Sequence, residues 1–250
     1  MRLTGAALTD PGRRRENNED SVCIREDLGL FLVADGMGGH VAGEIASRLV
    51  AEEVERFVAE TAPAHVRPSR TAGPGAGDRL NAALIEANRK LAGRIAGDAS
   101  LNGMATTAVA LLAEEEAVAL AHVGDSRAYR YRSAHLERLT RDHSWVEEQI
   151  RAGLLTPEAA LRHPWRHVVT RALAGTTDVE AEVAELSLDA GDRLLLCSDG
   201  LSSVVSHDEI ADPLREDRPP ADVCRELVRR ANAAGGPDNV TVVLVDVHAD

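Results

Sequence analysis

Four strand-like runs follow one another between Ala105 and Leu139, at residues 105–112, 117–123, 126–131 and 135–139. The connections between them are too short to carry a crossover helix, so neighbouring strands are expected to pair antiparallel, as a meander. Asp20 to Arg25 and Gly29 to Ala34, separated only by Glu26-Asp27-Leu28, read as another antiparallel pair. Val179 to Leu186, Leu194 to Cys197 and Val240 to Val247 supply further strands. Between Val41 and Val58, Ala42, Ile45, Ala46, Leu49, Val50, Val54, Phe57 and Val58 recur at helical spacing with charges opposite, which predicts an amphipathic helix. A second helix carries Leu80, Ala83, Leu84, Ala87, Leu91 and Ile95, after a Pro/Gly-rich loop from Pro63 to Gly77 that reads as dispensable. A third is expected from about Pro220 to Ala234. Residues 144–175 read as an excursion of two short helical pieces, the second opened by Thr156-Pro157, a capping residue followed by a first-turn proline. Strands next to strands, with helices grouped elsewhere, give an α+β class.

A chain of 250 residues without linker or low-complexity tract reads as one domain, 1–250. Its 28 Lys plus Arg against 41 Asp plus Glu, a net charge of −13, argue against nucleic acid or an anionic membrane as a general partner. Cys23, Cys197 and Cys224 are odd in number and far apart, so neither a disulfide framework nor a zinc knuckle is expected. No apolar run approaches the ~20 residues of a membrane span, and the first residues lack the core of a signal peptide. A monomer in a reduced cytoplasm is the expectation.

Two apolar runs end alike, 29–34 in Asp35-Gly36 and 193–198 in Asp199-Gly200. Each places a carboxylate at the rim of a core strand, and the glycine reads as a sharp turn. Taken singly, an Asp-Gly at a strand end is usually no more than a turn. Here Asp125 and Asp238 also sit at strand ends, and Asp20 heads a strand after Glu19. Carboxylates gathered at one sheet edge make an all-oxygen site suited to two cations, Mg2+ or Mn2+ rather than zinc.

Six segments carry a resemblance in order: Arg15-Glu16-Asn17-Asn18-Glu19-Asp20, Asp35-Gly36-Met37-Gly38-Gly39-His40, Gly103-Met104-Ala105-Thr106-Thr107, Val123-Gly124-Asp125-Ser126-Arg127, Ser198-Asp199-Gly200-Leu201 and Pro237-Asp238-Asn239-Val240-Thr241. Over nearly its whole length the chain resembles the metal-dependent serine/threonine protein phosphatases of type 2C, the PPM family, in its bacterial branch. The resemblance implies a four-layer αββα sandwich, two antiparallel sheets flanked by helix pairs, with a flap at approximately 143–175. It implies Asp35, Asp199 and Asp238 as direct ligands of a metal pair. The Gly36 carbonyl would complete one site, and Glu19 and Asp20 would act largely through bound water. A weaker third ion would use Asp125 with Asp199. Two cations ~4 Å apart can share and acidify one water for in-line attack on phosphorus. Arg15 matches the phosphate-binding arginine, whose planar fork suits a dianion; Arg13 and Arg14 read as solvated surface.

The implied function is hydrolysis of phosphoserine and phosphothreonine in phosphorylated proteins, opposing a cognate bacterial Ser/Thr kinase. The alternative is a low-activity regulatory module that binds phosphopeptides on the same fold. Retention of Arg15, Asp20, Asp35, Asp125, Asp199 and Asp238 favours the enzyme, since a binder has no need of the metal set.

The chain departs from the family pattern in places. Met37 stands where the eukaryotic branch has a histidine proposed as general acid, which leaves His40 as a candidate donor, although it also reads as a polar residue at a helix start. Ser203 stands where many relatives have Asp, which weakens the third site, and Ala105 replaces a common glycine. Trp145 and Trp165 fall in the flap, for packing or for meeting a phosphopeptide. His163 and His167 have the spacing of a zinc helix, but Pro164 and the lack of a third ligand argue against one. Glycines 36–43 match neither nucleotide-loop pattern, because Val41 and Glu44 occupy the deciding positions. Cys224 and Arg230 share the spacing of cysteine-dependent phosphatases, yet the five residues between them are helical and glycine-free, so Cys224 reads as a core thiol.

Overall fold

In the strand from Leu30 to Met37 (β3), odd and even positions are both buried, which places β3 in the middle of a layered stack. Leu30, Leu32 and Ala34 belong to a core shared with two helices, Val41–Glu60 (α1) and Ala76–Gly97 (α2). Phe31 and Val33 belong to a second core that lies between two sheets. The computed structural model describes residues 1–38, 41–62, 75–114, 117–176 and 179–249, and the elements given are those of the described residues.

The first sheet has the order β2-β3-β5-β6-β9, with a two-residue strand, Ala105–Thr106 (β4), also on β3. Its other members are Asp20–Arg25 (β2), Ala108–Glu114 (β5), Ala117–Val123 (β6) and Glu182–Leu186 (β9). The second sheet has the order β1-β11-β10-β7-β8, from Arg2–Asp10 (β1), Arg127–Arg132 (β7), His135–Arg138 (β8), Arg193–Cys197 (β10) and Val240–His248 (β11). Every pairing is antiparallel.

Phe31, Val33, Val109 and Leu111 of one sheet meet Leu194, Leu196, Val243 and Val245 of the other. On the outer face of the second sheet, Leu195, Cys197, Val242 and Leu244 pack with the helices His207–Leu214 (α6) and Pro220–Ala233 (α7). The order helix, sheet, sheet, helix is the expected αββα sandwich. Between β8 and β9 lie Trp145–Arg151 (α3) and Pro157–Ala160 (α4); the Thr156 side chain accepts from Ala159 N, as the sequence predicts.

Two expectations need correction. The runs from 105 to 139 are not one meander: β5 pairs with β6 and β7 with β8, but β6 and β7 lie in different sheets. The chain leaves the first sheet at Gly124, whose φ is +107°. Beyond that corner β6 takes β9 as its second neighbour and β7 takes β10. The sequence reading also passes over α6 and a short helix, Asp199–Ser202 (α5). The signal for α6 is a capping box, in which Ser206 and Glu209 each bind the other's backbone N–H. The loop at 63–77 falls largely outside the described residues, as do Gly39 and His40.

Phe31 is fully buried between the sheets. Phe31→Ala is expected to lower the unfolding free energy in urea by about 3–5 kcal/mol, whereas Leu161→Ala, on the exposed flap, shifts it by less than about 0.5 kcal/mol.

Candidate active site

The sheets deliver their acids to a common rim. In the β2–β3 register Asp20 lies directly across from Asp35. Asp125 sits at the corner after β6, Asp199 begins α5 directly after β10, and Asp238 precedes β11, the neighbour of β10. A cleft of about 640 Å³ opens there, lined by Arg15, Glu19, Asp35, Gly36, Asp125, Asp199 and Asp238 among others. Asp20, 8 % exposed, does not line it but pairs with Asp35, which does. Seven of the residues expected at the site therefore line one cavity, and Asp20 adjoins it through its strand partner.

The carboxyls oppose one another electrostatically. Burial pushes Asp35 well above the ordinary carboxylate range, and the negative charges of Asp20, Asp199, Asp125 and Asp238 push it the same way. Asp20 rises to about 7 mainly through burial, partly offset by hydroxyls of Thr241 and Ser198. Asp125 also rises to about 7, through burial and then through Asp199 and Asp142. Asp199 is raised by burial and by Asp238, while His167 and Arg127 act against the rise, as does a hydrogen bond with the Asp35 carboxyl.

Close backbone packing fixes these positions. A Cβ on Gly36 would lie 2.2 Å from the Gly43 carbonyl oxygen and 2.5 Å from that of Glu19, and one on Gly200 would lie 1.8 Å from Asn239 O. The Asp-Gly pairs thus mark close approach between chain segments, not the sharp turn read from sequence: Gly36 continues β3, and Gly200 lies in α5. Gly36 N donates to Glu19 O at 3.1 Å. The Asn239 side chain clips the loop bearing Arg15 and Glu19 to the β11 end: its Oδ1 accepts from Glu19 N, and its Nδ2 donates to Pro11 O and Asn17 O. Ser198 Oγ donates to Asp20 Oδ2 at 2.9 Å and accepts from Thr241 N. Arg15 reaches the cleft and donates to Asp238 Oδ2 at 2.8 Å, with its side chain half exposed.

The donor set fits hard divalent cations. It is all oxygen, and the buried Asp20 Oδ1 has no hydrogen-bond partner among the described residues. Met37 and Ser203 both line the cleft, so these two departures from the family pattern fall at the site itself, whereas Ala105 is buried behind it as the strand partner of Met37. His40, the candidate proton donor, lies outside the described residues. A histidine passed over as a site residue does reach the cleft: His167, with Val169, projects from the flap. No local signal marks it, since sequence spacing does not show which flap histidine turns toward the cleft. His163 instead stacks on Trp145, ring centroids 4.6 Å apart, so the paired spacing reflects flap packing. Trp145 is half-buried and Trp165 is 54 % exposed. Cys224 is a core thiol as expected, buried and pushed up to about 12.

A second cluster lies behind the rim, where donor atoms of His122, His143 and Glu182 come within 4.8 Å of one another. Gly124 N donates to His143 Nδ1 at 3.1 Å, so the ring proton occupies Nε2, the nitrogen facing Glu182. A cation there would have to displace that proton, and the imidazoles of His122 and His143 stack nearly parallel instead of converging. The cluster reads as a packed hydrogen-bonding group.

Residues 12–244 match the family description Protein phosphatase 2C. The chain is 40% identical over 245 residues to the serine/threonine protein phosphatase PstP of Mycobacterium tuberculosis, covering 98% of this chain and 45% of that protein, so it spans about half the length of that relative. It is 36% identical to the protein phosphatase PhpP of Streptococcus pneumoniae, over 97% of each. The crystal structure of the M. tuberculosis phosphatase superposes with a TM-score of 0.89 at 38% identity, covering 100% of both chains. That of the PstP catalytic domain in complex with two manganese ions gives 0.86 at 38% identity, over 99% of each chain. With its layers, its rim of acids and these likenesses in agreement, the chain belongs to the protein phosphatase 2C family.

Proposed function

We propose that the chain hydrolyses phosphoserine and phosphothreonine in proteins, using Mn2+ or Mg2+. The observation that carries this reading is the crowd of mutually repelling, buried carboxylates at one rim, an arrangement that a cation pair would neutralise. Asp35, Asp199, Asp238 and the Gly36 carbonyl would hold the pair, with Glu19 and Asp20 acting through bound water. Asp125 and Asp199 would hold a weaker third ion, with Ser203 in place of a further acid. When bound, such ions supply an acidified water and neutralise phosphoryl oxygens.

The chain's own groups do the rest. Arg15 lies at the cleft with one N–H engaged by Asp238, and the remainder of its fork can take two oxygens of a phosphate dianion. Asn239 keeps that arginine's loop tied to the acids. The flap, approximately 143–175, brings Val169 and His167 over the cleft, where they would meet the segment flanking the phosphorylated residue. Retention of all the acids supports the enzyme over a regulatory binding module. Residues 1–250 form, in this reading, one catalytic domain. It would act as a cytoplasmic monomer and oppose a Ser/Thr kinase; among the described residues no helix is long and apolar enough to cross a membrane.

Two assays test the reading. Hydrolysis of p-nitrophenyl phosphate is expected to require added Mn2+, to stop with chelator, and to fall about a hundredfold or more in Asp199→Asn; no metal-stimulated turnover in the wild type would refute it. Arg15→Lys is expected to raise KM for a phosphopeptide about tenfold while kcat changes less, because a point charge replaces a fork.

A further inference from the structure

Asp125 belongs to a sharp corner between the two sheets, and both of its neighbours are fastened. On one side Ser126 Oγ lies 2.7 Å from Thr107 Oγ1, which also accepts from Asp35 N at 3.1 Å. That contact ties the corner to the strand bearing Asp35. On the other side Gly124, at φ +107°, makes two bonds to one residue at the root of the flap. His143 N donates to Gly124 O at 2.9 Å, and Gly124 N donates to His143 Nδ1 at 3.1 Å.

His143 is well held for this task. It is 4 % exposed, and its ring stacks on His122 with centroids 4.8 Å apart. His122 is itself anchored through Nε2 to Arg141 O at 2.7 Å. His143 Nε2 faces Glu182 Oε1 at 3.2 Å. The carbonyl of His143 accepts from Thr170 N at 2.8 Å, next to Val169, which lines the cleft. Beside it, Arg127 forks onto Asp142, a second tie between the corner and the flap root.

We propose that His143 is a positioning residue for the third-ion carboxylate: by accepting the Gly124 N–H on Nδ1 while its own backbone binds Gly124 and Thr170, it sets Asp125 and the flap in one register. The proposal rests on the reading of Asp125 as a third-ion ligand. A buried amide that loses its acceptor would be left unpaired, so the corner would relax and displace Asp125. Asn places Oδ1 where His places Nδ1, whereas Gln carries its amide one bond further out.

The test is Mn2+-dependent phosphopeptide hydrolysis by the full chain, run for the wild type, His143→Ala, His143→Asn, His143→Gln and Asp125→Asn, with calorimetric Mn2+ titration of each. His143→Ala and His143→Gln are expected to raise the Mn2+ concentration for half-maximal rate about fivefold, the effect of one lost hydrogen bond. The tight Mn2+ sites seen by calorimetry should be unchanged, and His143→Asn should return to near wild type. Should His143→Ala fail to fold, the Asn and Gln variants carry the same comparison. A His143→Asn curve as shifted as that of His143→Gln, or a His143→Gln curve identical to wild type, overturns the proposal. An Asp125→Asn curve identical to wild type overturns the third-ion reading itself, and the proposal with it.

Discussion

Mutual repulsion among the carboxylates at the rim is the constraint around which the rest of the molecule is arranged. Strand register alone forces part of it, since pairing β2 with β3 sets Asp20 opposite Asp35. Like charges facing each other across a ladder are unfavourable, and burial raises the cost. The structure meets that cost with hydroxyls from Ser198 and Thr241 at Asp20, with the guanidinium of Arg15 at Asp238, and with raised proton affinity at Asp20, Asp35, Asp125 and Asp199. A site so poorly compensated by its own chain is suited to a multivalent cation.

Rigidity behind the rim makes this arrangement possible. The apolar layers hold the strand ends, as in Phe31 and Val33 against Leu194, Leu196 and Val243. Side chains such as Asn239, Ser198 and Thr107 then fasten the connecting loops to one another. The segment with the most exposed large apolar side chains, Leu154, Leu161, Trp165 and Val168, is the flap, where contact with another protein chain is useful.

Much of this was legible in the sequence because the signals were local. Period and length gave α1, α2, α7 and most strands, and the ordered motifs carried the acids and Arg15. Most of what the sequence does not show depends on contacts distant along the chain. Nothing local separates a four-strand meander from two hairpins in different sheets, since the difference lies in which partners β6 and β7 find at β9 and β10. Gly36 and Gly200 read locally as turn formers, yet their lack of a Cβ serves the approach of Glu19, Gly43 and Asn239. The spacing of His163 and His167 does not reveal which one the flap turns toward the cleft. His143 carries no local signal, as its partner Gly124 is 19 residues away. The capping box at Ser206 and Glu209 is the exception, a local signal for α6 that the periodicity alone does not carry.

The central claim is that the rim acids are held in conflict and that a cation resolves it. In metal-free protein Asp20 and Asp125 bind protons up to about pH 7, whereas in the unfolded chain they release them near 3.8. At these carboxyls the folded state carries more protons across that window, so their contribution to stability falls as pH rises from 3.8 toward about 7; the buried His122 and His143, whose proton affinity burial lowers, act in the opposite sense but are outnumbered by the raised acids of the rim. The most direct measurement is thermal unfolding across that window, with chelator and with saturating Mn2+. Tm is expected to decline with rising pH in chelator, and Mn2+ to raise Tm most at the neutral end and abolish the decline. A metal-free Tm that is flat or rising with pH, together with no shift on adding Mn2+, would contradict it.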